Sequence, residues 1–226
     1  MPYPGGKGGD GVYQTIINQM PPHHVYIEPF LGGGSIMRHK RPAQVNIGVD
    51  IDSEVIAAFD LPGVRLVHAD ALAFLYEYPF SGNELVYCDP PYLMSTRSCQ
   101  RDLYRHEFSE TEHVNLLTLL RMLPEGTKAM VSGYWSELYA KMLDDWRVIS
   151  YQSVKRSGAV ATEFLWMNYA EPVELHDYRY LGRNFRERER IKRKKTRWER
   201  RFVKMPVLER RAMLSAIEEL RGRGAL

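Results

Sequence analysis

At 226 residues, 44% hydrophobic and 26% charged, the chain has the make-up of one mid-sized globular domain plus an appendage, which excludes a disordered or fibrous protein. Its two cysteines, Cys88 and Cys99, form neither a disulfide framework nor a metal-type Cys-x-x-Cys pair, so a reducing, cytoplasmic setting is expected. The net charge of +3 is uneven: residues 183–204 hold 12 Lys and Arg against 3 acids, a local +9 that leaves the rest at −6.

The N-terminal Met1-Pro2-Tyr3-Pro4-Gly5-Gly6-Lys7 has no apolar leader, and no later stretch approaches the roughly 20 apolar residues of a membrane span. No membrane association is expected. Residues 11–20 read as a helix and 25–28 as the first strand, which runs into Glu28-Pro29-Phe30-Leu31-Gly32-Gly33-Gly34-Ser35. Consecutive glycines let the backbone turn sharply and approach a ligand that a Cβ would obstruct. After a helix at 34–39, the strand at 45–49 is followed by Asp50-Ile51-Asp52, with Asp50 22 residues beyond Glu28, where an acid can accept from ribose hydroxyls. A helix at 52–60 and a strand at 64–67 lead to Asp70-Ala71, and a helix covers 71–78. Acids at successive strand ends suit an adenosine-bearing ligand, although Asp50 and Asp70 are also natural helix N-caps.

The fourth apolar run, 85–88, ends in Asp89-Pro90-Pro91-Tyr92. Two prolines stop the strand, and ligands of open α/β sheets bind at such ends. An acceptor carboxylate, rigid carbonyls and an aromatic plate suit a planar base held by its exocyclic amine. Residues 93–108 interleave Arg97, Arg101, Tyr104, Arg105, His106 and Phe108, a composition fitted to closing over an extruded nucleotide and holding flanking phosphates. Helices at 110–122 and 135–143 alternate with strands at 129–132, 148–152 and 163–168. The seven strand runs and repeated β-then-α order predict a doubly wound, mainly parallel α/β sheet. Strands stop near residue 172. Two helices follow, 184–204 and 207–221, the first a candidate polyanion contact through Arg193, Lys194 and Lys195. The division expected is 1–172 as a catalytic domain and 173–226 as a basic helical extension.

Pro4-Gly5-Gly6-Lys7, the glycine turn, Asp89-Pro90-Pro91-Tyr92 and Glu163-Phe164-Leu165-Trp166-Met167-Asn168, in that order, resemble motifs of the amino-directed DNA methyltransferases, and within them the Dam-like, D12-class adenine methylase family. The resemblance spans roughly residues 1–170. It implies a Rossmann-like S-adenosylmethionine-dependent methyltransferase acting on adenine N6 in duplex DNA, with the target base extruded. It also implies a cofactor site from Tyr3, Gly6, Lys7, Glu28, Pro29, Phe30, Gly32, Gly34, Ser35, Asp50, Ile51, Asp70 and Ala71, and catalysis by Asp89, Pro90, Pro91 and Tyr92. Cytosine N4, an RNA adenine, and a non-catalytic subunit of a methyltransferase complex are the alternatives. No Pro-Cys pair serves C5 chemistry, Cys88 reads as inert core, and no His-Glu-x-x-His or similar spacing assigns a metal. In GATC-type enzymes a recognition region precedes the catalytic tetrapeptide, whereas here only the 18 residues 71–88 separate it from Asp70. Recognition is therefore expected from residues 93–108, from the basic tail, or from a protein partner.

Overall fold

The structure, a computed structural model, describes residues 6–9, 11–97, 104–154 and 158–224. The chain divides into two compact units, Met1–Tyr180 and Leu181–Leu226. In the first, β1 (Val25–Glu28), β2 (Val45–Asp50), β3 (Val64–His68), β4 (Glu84–Cys88), β5 (Lys128–Gly133), β6 (Arg147–Val154) and β7 (Val160–Met167) form one seven-stranded sheet in the order β3-β2-β1-β4-β5-β7-β6. The first five strands pair in parallel, while β7 runs antiparallel to both β5 and β6. This is the doubly wound, mainly parallel sheet that the alternation of runs predicts.

Side chains of β4 go alternately to the two faces, and all five of its residues are buried, which is why 85–88 is a continuous apolar run. Val86 and Cys88 join Leu116, Leu117 and Leu120 of helix α5 (Glu110–Arg121) and Tyr139 of α6 (Glu137–Met142), with Leu75 of α4 (Ala71–Glu77). Leu85 and Tyr87 join Val12, Ile16 and Ile17 of α1 (Val12–Ile17), Ile36 and Met37 of α2 (Ser35–His39), and Phe59, which ends α3 (Ser53–Ala58). Each fully buried Leu or Ile contributes about 1.5–3 kcal/mol. Sealing both faces fixes the one edge of the sheet from which the loops can reach a ligand.

From β1 the chain winds outward through β2 and β3, then returns to β1's other side with β4 and β5. The register Ile27↔Val86 brings the end of β1 level with the end of β4. A crevice opens at such a switch point, outside the carboxyl ends of the strands. Residues 173–180 complete the first unit: His176 N–H donates to the Met20 carbonyl at 2.9 Å and Arg41 N–H to Asp177 Oδ2 at 2.9 Å. In the second unit, α7 (Phe185–Lys204) begins at Asn184, whose side chain accepts from Glu187 N–H at 3.0 Å, and α8 (Val207–Gly222) follows Pro206. Neither helix has a buried residue. Among the described residues no helix is long and apolar enough to cross a membrane.

Candidate active site

The glycine turn after β1 is held by the acid that ends β2. Gly32 N–H donates to Asp50 Oδ2 at 2.8 Å, and Asp52 N–H donates to Asp50 Oδ1 at 2.9 Å. Burial, the largest influence, raises the Asp50 carboxyl above its usual range against the pull of those two donors. Gly34 has φ +59°, and a Cβ there would stand 2.2 Å from Phe59 Cε2, so only glycine closes this turn. Asp70 also caps α4, accepting from Ala73 N–H at 2.9 Å. The helix-cap reading of Asp70 thus holds together with its place at the site, because a carboxylate has lone pairs beyond the one a cap uses.

One cavity opens over these strand ends. Gly6, Lys7, Glu28, Pro29, Phe30, Gly32, Gly34, Ser35, Asp50, Ile51, Asp70 and Ala71 all line it, as do Asp89, Pro90 and Pro91. Tyr3 lies outside the described residues. Tyr92 sits behind the cavity, buried, with its ring edge-on to Tyr134 at 4.7 Å between centroids. Tyr104, His106 and Phe108 also line the cavity, and Phe108 meets Phe30 edge-to-face at 5.3 Å. That part of the 93–108 segment therefore walls the pocket in which the glycine turn lies.

Beneath Asp89 lies a polar network that spacing did not disclose. Lys7 Nζ is 2.9 Å from Asp89 Oδ1 and 3.4 Å from Glu163 Oε2. Glu163 Oε2 accepts from the hydroxyls of Tyr92 at 2.6 Å and Tyr151 at 3.1 Å, and Ser153 donates to Oε1. Burial pushes the Asp89 carboxyl up, against the opposing pull of Lys7. Glu163 is held below the usual carboxylate range: burial raises it, but Lys7 and the three hydroxyls outweigh that. Burial alone would lower the Lys7 ammonium, yet Asp89 and Glu163 together carry it above its ordinary value. Glu163 left a trace in the sequence as the lone acid of the apolar run 163–168, but nothing local linked it to Tyr92.

Several expected contacts lie elsewhere. Arg97, read as a phosphate ligand, is buried: its Nε donates to the Tyr92 carbonyl at 2.6 Å and its two terminal nitrogens grip Glu107 at 2.9 and 2.6 Å. That corrects the expectation, since a guanidinium so engaged braces the turn after β4 and does not face a duplex. Arg105 is exposed and ion-paired with Glu54 at 3.0 Å and Asp52 at 3.3 Å. Arg101 and Cys99 lie outside the described residues. Arg193, Lys194 and Lys195 are exposed on α7, where Lys195 lies 3.8 Å from Glu199. Cys88 is buried on β4 with its thiol pushed up by burial, as suits inert core.

Residues 68–157 match the D12 class of N6 adenine-specific DNA methyltransferases. The D12 segment runs from the last residue of β3 past β6 and contains Asp70 and Asp89-Pro90-Pro91-Tyr92. No curated protein matches the chain. Among solved structures, the Escherichia coli protein yhhF is 19% identical over 75% of this chain and 92% of its own, with a TM-score of 0.44. A Streptococcus mutans protein solved with SAH is 14% identical over 69% and 94%, at 0.41, and a Plasmodium falciparum dimethyladenosine transferase is 13% identical over 70% and 61%, at 0.47. With its D12 segment and this sheet, the chain is a Rossmann-like methyltransferase dependent on S-adenosylmethionine. The cavity fits that cofactor: the close turn at Gly34 admits backbone contact, Asp50 and Asp70 offer acceptors to ribose and amine, and Asp50, Asp70 and Asp89 give a lining complementary to a sulfonium cation.

Proposed function

We propose that the chain methylates the exocyclic N6 of adenine in DNA, taking the base out of the duplex to do so. The observation that supports this best is the position of Asp89-Pro90 at the end of β4, beside the glycine turn and in one cavity with it. S-adenosylmethionine, when bound, supplies a methyl group activated by its sulfonium. Adenine N6 is a poor nucleophile because its lone pair is delocalised into the ring. Asp89 accepts one N–H and the Pro90 carbonyl the other, which localises the lone pair and stabilises the growing positive charge on nitrogen. Asp89 then takes the proton that N6 sheds, and the burial that raises its carboxyl makes it the better acceptor. Tyr92 lies buried behind the cavity with its hydroxyl on Glu163, so it stacks on the base, an interaction worth about 1–3 kcal/mol, only once base entry uncovers its ring. On this reading Gly6, Lys7, Glu28, Phe30, Asp50 and Asp70 surround the cofactor, catalysis is housed in Met1–Tyr180, and the basic unit Leu181–Leu226, or a protein partner, holds the duplex.

The test is transfer of labelled methyl to duplex DNA, followed by mass spectrometry of the nucleosides. N6-methyladenine is the expected product. N4-methylcytosine, or methylation of RNA alone, would replace this reading with one of the alternatives.

A further inference from the structure

Lys7 is one buried cation between two carboxylates. Its ammonium stands at full hydrogen-bonding distance from Asp89 and at the looser 3.4 Å from Glu163. The ammonium, paired in charge with Asp89 Oδ1 at 2.9 Å, holds the place at which the exocyclic amine of a target base would present an N–H to that oxygen, which itself accepts no hydrogen bond among the described residues. Glu163 is prepared as a second acceptor: Tyr92, Tyr151 and Ser153 fix its carboxylate in place, and a carboxylate has room for about four donors. The same ammonium lies 4.9 Å from the centroid of the Tyr92 ring, so its position is felt where the base would stack.

We propose that Lys7 stands in for the target amine on Asp89 and that a base entering the pocket displaces the ammonium onto Glu163, an inference that rests on the amino-methylation reading above. No charge is made or lost in the exchange, because Lys7 keeps its proton and trades one carboxylate for another. The empty pocket thereby avoids an uncompensated buried carboxylate, a costly arrangement. The exchange also selects. Adenine or cytosine replaces the lysine donor with an amine donor, whereas a carbonyl edge sets an acceptor against the Asp89 acceptor and leaves Lys7 where it is. Lys7 and Glu163 thus act as positioning residues for base entry.

Base entry can be read with the natural adenine in place, as permanganate oxidation of the thymine left unpaired opposite it. The duplex is one whose methylated adenine has been located by sequencing the wild-type product, with S-adenosylhomocysteine present to prevent turnover. Glu163→Gln removes the receiving charge and is expected to lower the extruded fraction about tenfold, as fits loss of a charged hydrogen bond. Lys7→Met removes the competitor and is expected to raise it by a similar factor. Thermal melting confirms that each variant is folded. Should Glu163→Gln lose its melting transition, Glu163→Asp, which withdraws the carboxylate by one methylene, carries the test with the same expected sign. Opposite shifts in the two variants support the exchange, since a merely structural role would move both in one direction. Shifts of equal sign, or none, overturn it while leaving adenine methylation intact. Wild-type protein that makes no N6-methyladenine overturns the functional reading itself, and the exchange with it.

Discussion

Asp89 must be ionised to accept an amine, yet burial works against its charge and Lys7 restores it. Asp89→Ala is expected to cost about 100- to 1,000-fold or more in turnover, with cofactor affinity kept within a few-fold in calorimetric titration, because the proposed function puts the cofactor contacts on the glycine turn and at Asp50 and Asp70. The rate should fall as pH drops through the folded pKa of Asp89. In Lys7→Met that acid limb should move to higher pH, since the group pulling the carboxyl down is gone; pH–rate profiles of the two proteins check the sign. Glu28 gives a separate pH signature, in stability. Burial pushes its carboxyl from 4.5 up to about 8, so the folded state holds a proton that the unfolded state has released. Stability contributed by the neutral form is present below pH 4.5 and is lost as pH rises towards 8. Glu28→Gln keeps an acceptor for Tyr26 and Met37, and should flatten that decline in urea midpoints measured across the window.

Among the elements, α5 anchors the end of β4. Ser109 caps it, with Ser109 N–H donating to Glu112 Oε2 at 2.7 Å and Glu112 N–H to Ser109 Oγ at 3.3 Å, while Leu116, Leu117 and Leu120 press on Val86 and Cys88. Ser109→Ala should destabilise the protein by about 1 kcal/mol, measurable as a shift in denaturant midpoint without a change in slope. Elements of this kind were legible in the sequence because local chemistry sets them: Ser109 and Glu112 mark a helix start, and 85–88 reads as a strand buried on both sides. β6 and β7 were legible only in part. They were read as 148–152 and 163–168, but run Arg147–Val154 and Val160–Met167, because Val154 and Val160 at their ends are exposed and give no burial signal. That the glycine turn and the acids at strand ends share one cavity could be read from the sequence. Glu163 could not, since its bond to Tyr92 joins residues 71 positions apart and depends on β7 entering between β5 and β6. Arg97 misled for a similar reason: a basic residue in a loop resembles a phosphate contact until Glu107 is known to face it.

Across the whole molecule, the positive charge is concentrated in the second unit and the first is net acidic, so a DNA grip by α7 would be electrostatic and largely indifferent to sequence. Reversing the charges of Arg193, Lys194 and Lys195 should weaken DNA binding and flatten the log–log salt dependence by about 0.9 for each phosphate contact removed. An unchanged slope in a folded triple variant would move recognition to the first unit or to a partner. The reversed direction of β7 has a consequence for how the protein is made. Parallel strands deliver their last residues to the carboxyl edge of the sheet, whereas β7 delivers an early one, Glu163, and does so by filling the flank of β5. On the ribosome, therefore, the D12 segment emerges complete while β5 still has an open flank and Asp89 and Lys7 lack their shared carboxylate. At about 5–20 residues per second this interval is short, but it exposes an unpaired strand edge. Nascent chains arrested before β7 should be protease-sensitive and chaperone-bound, and those arrested once residue 180 has cleared the exit tunnel should be resistant.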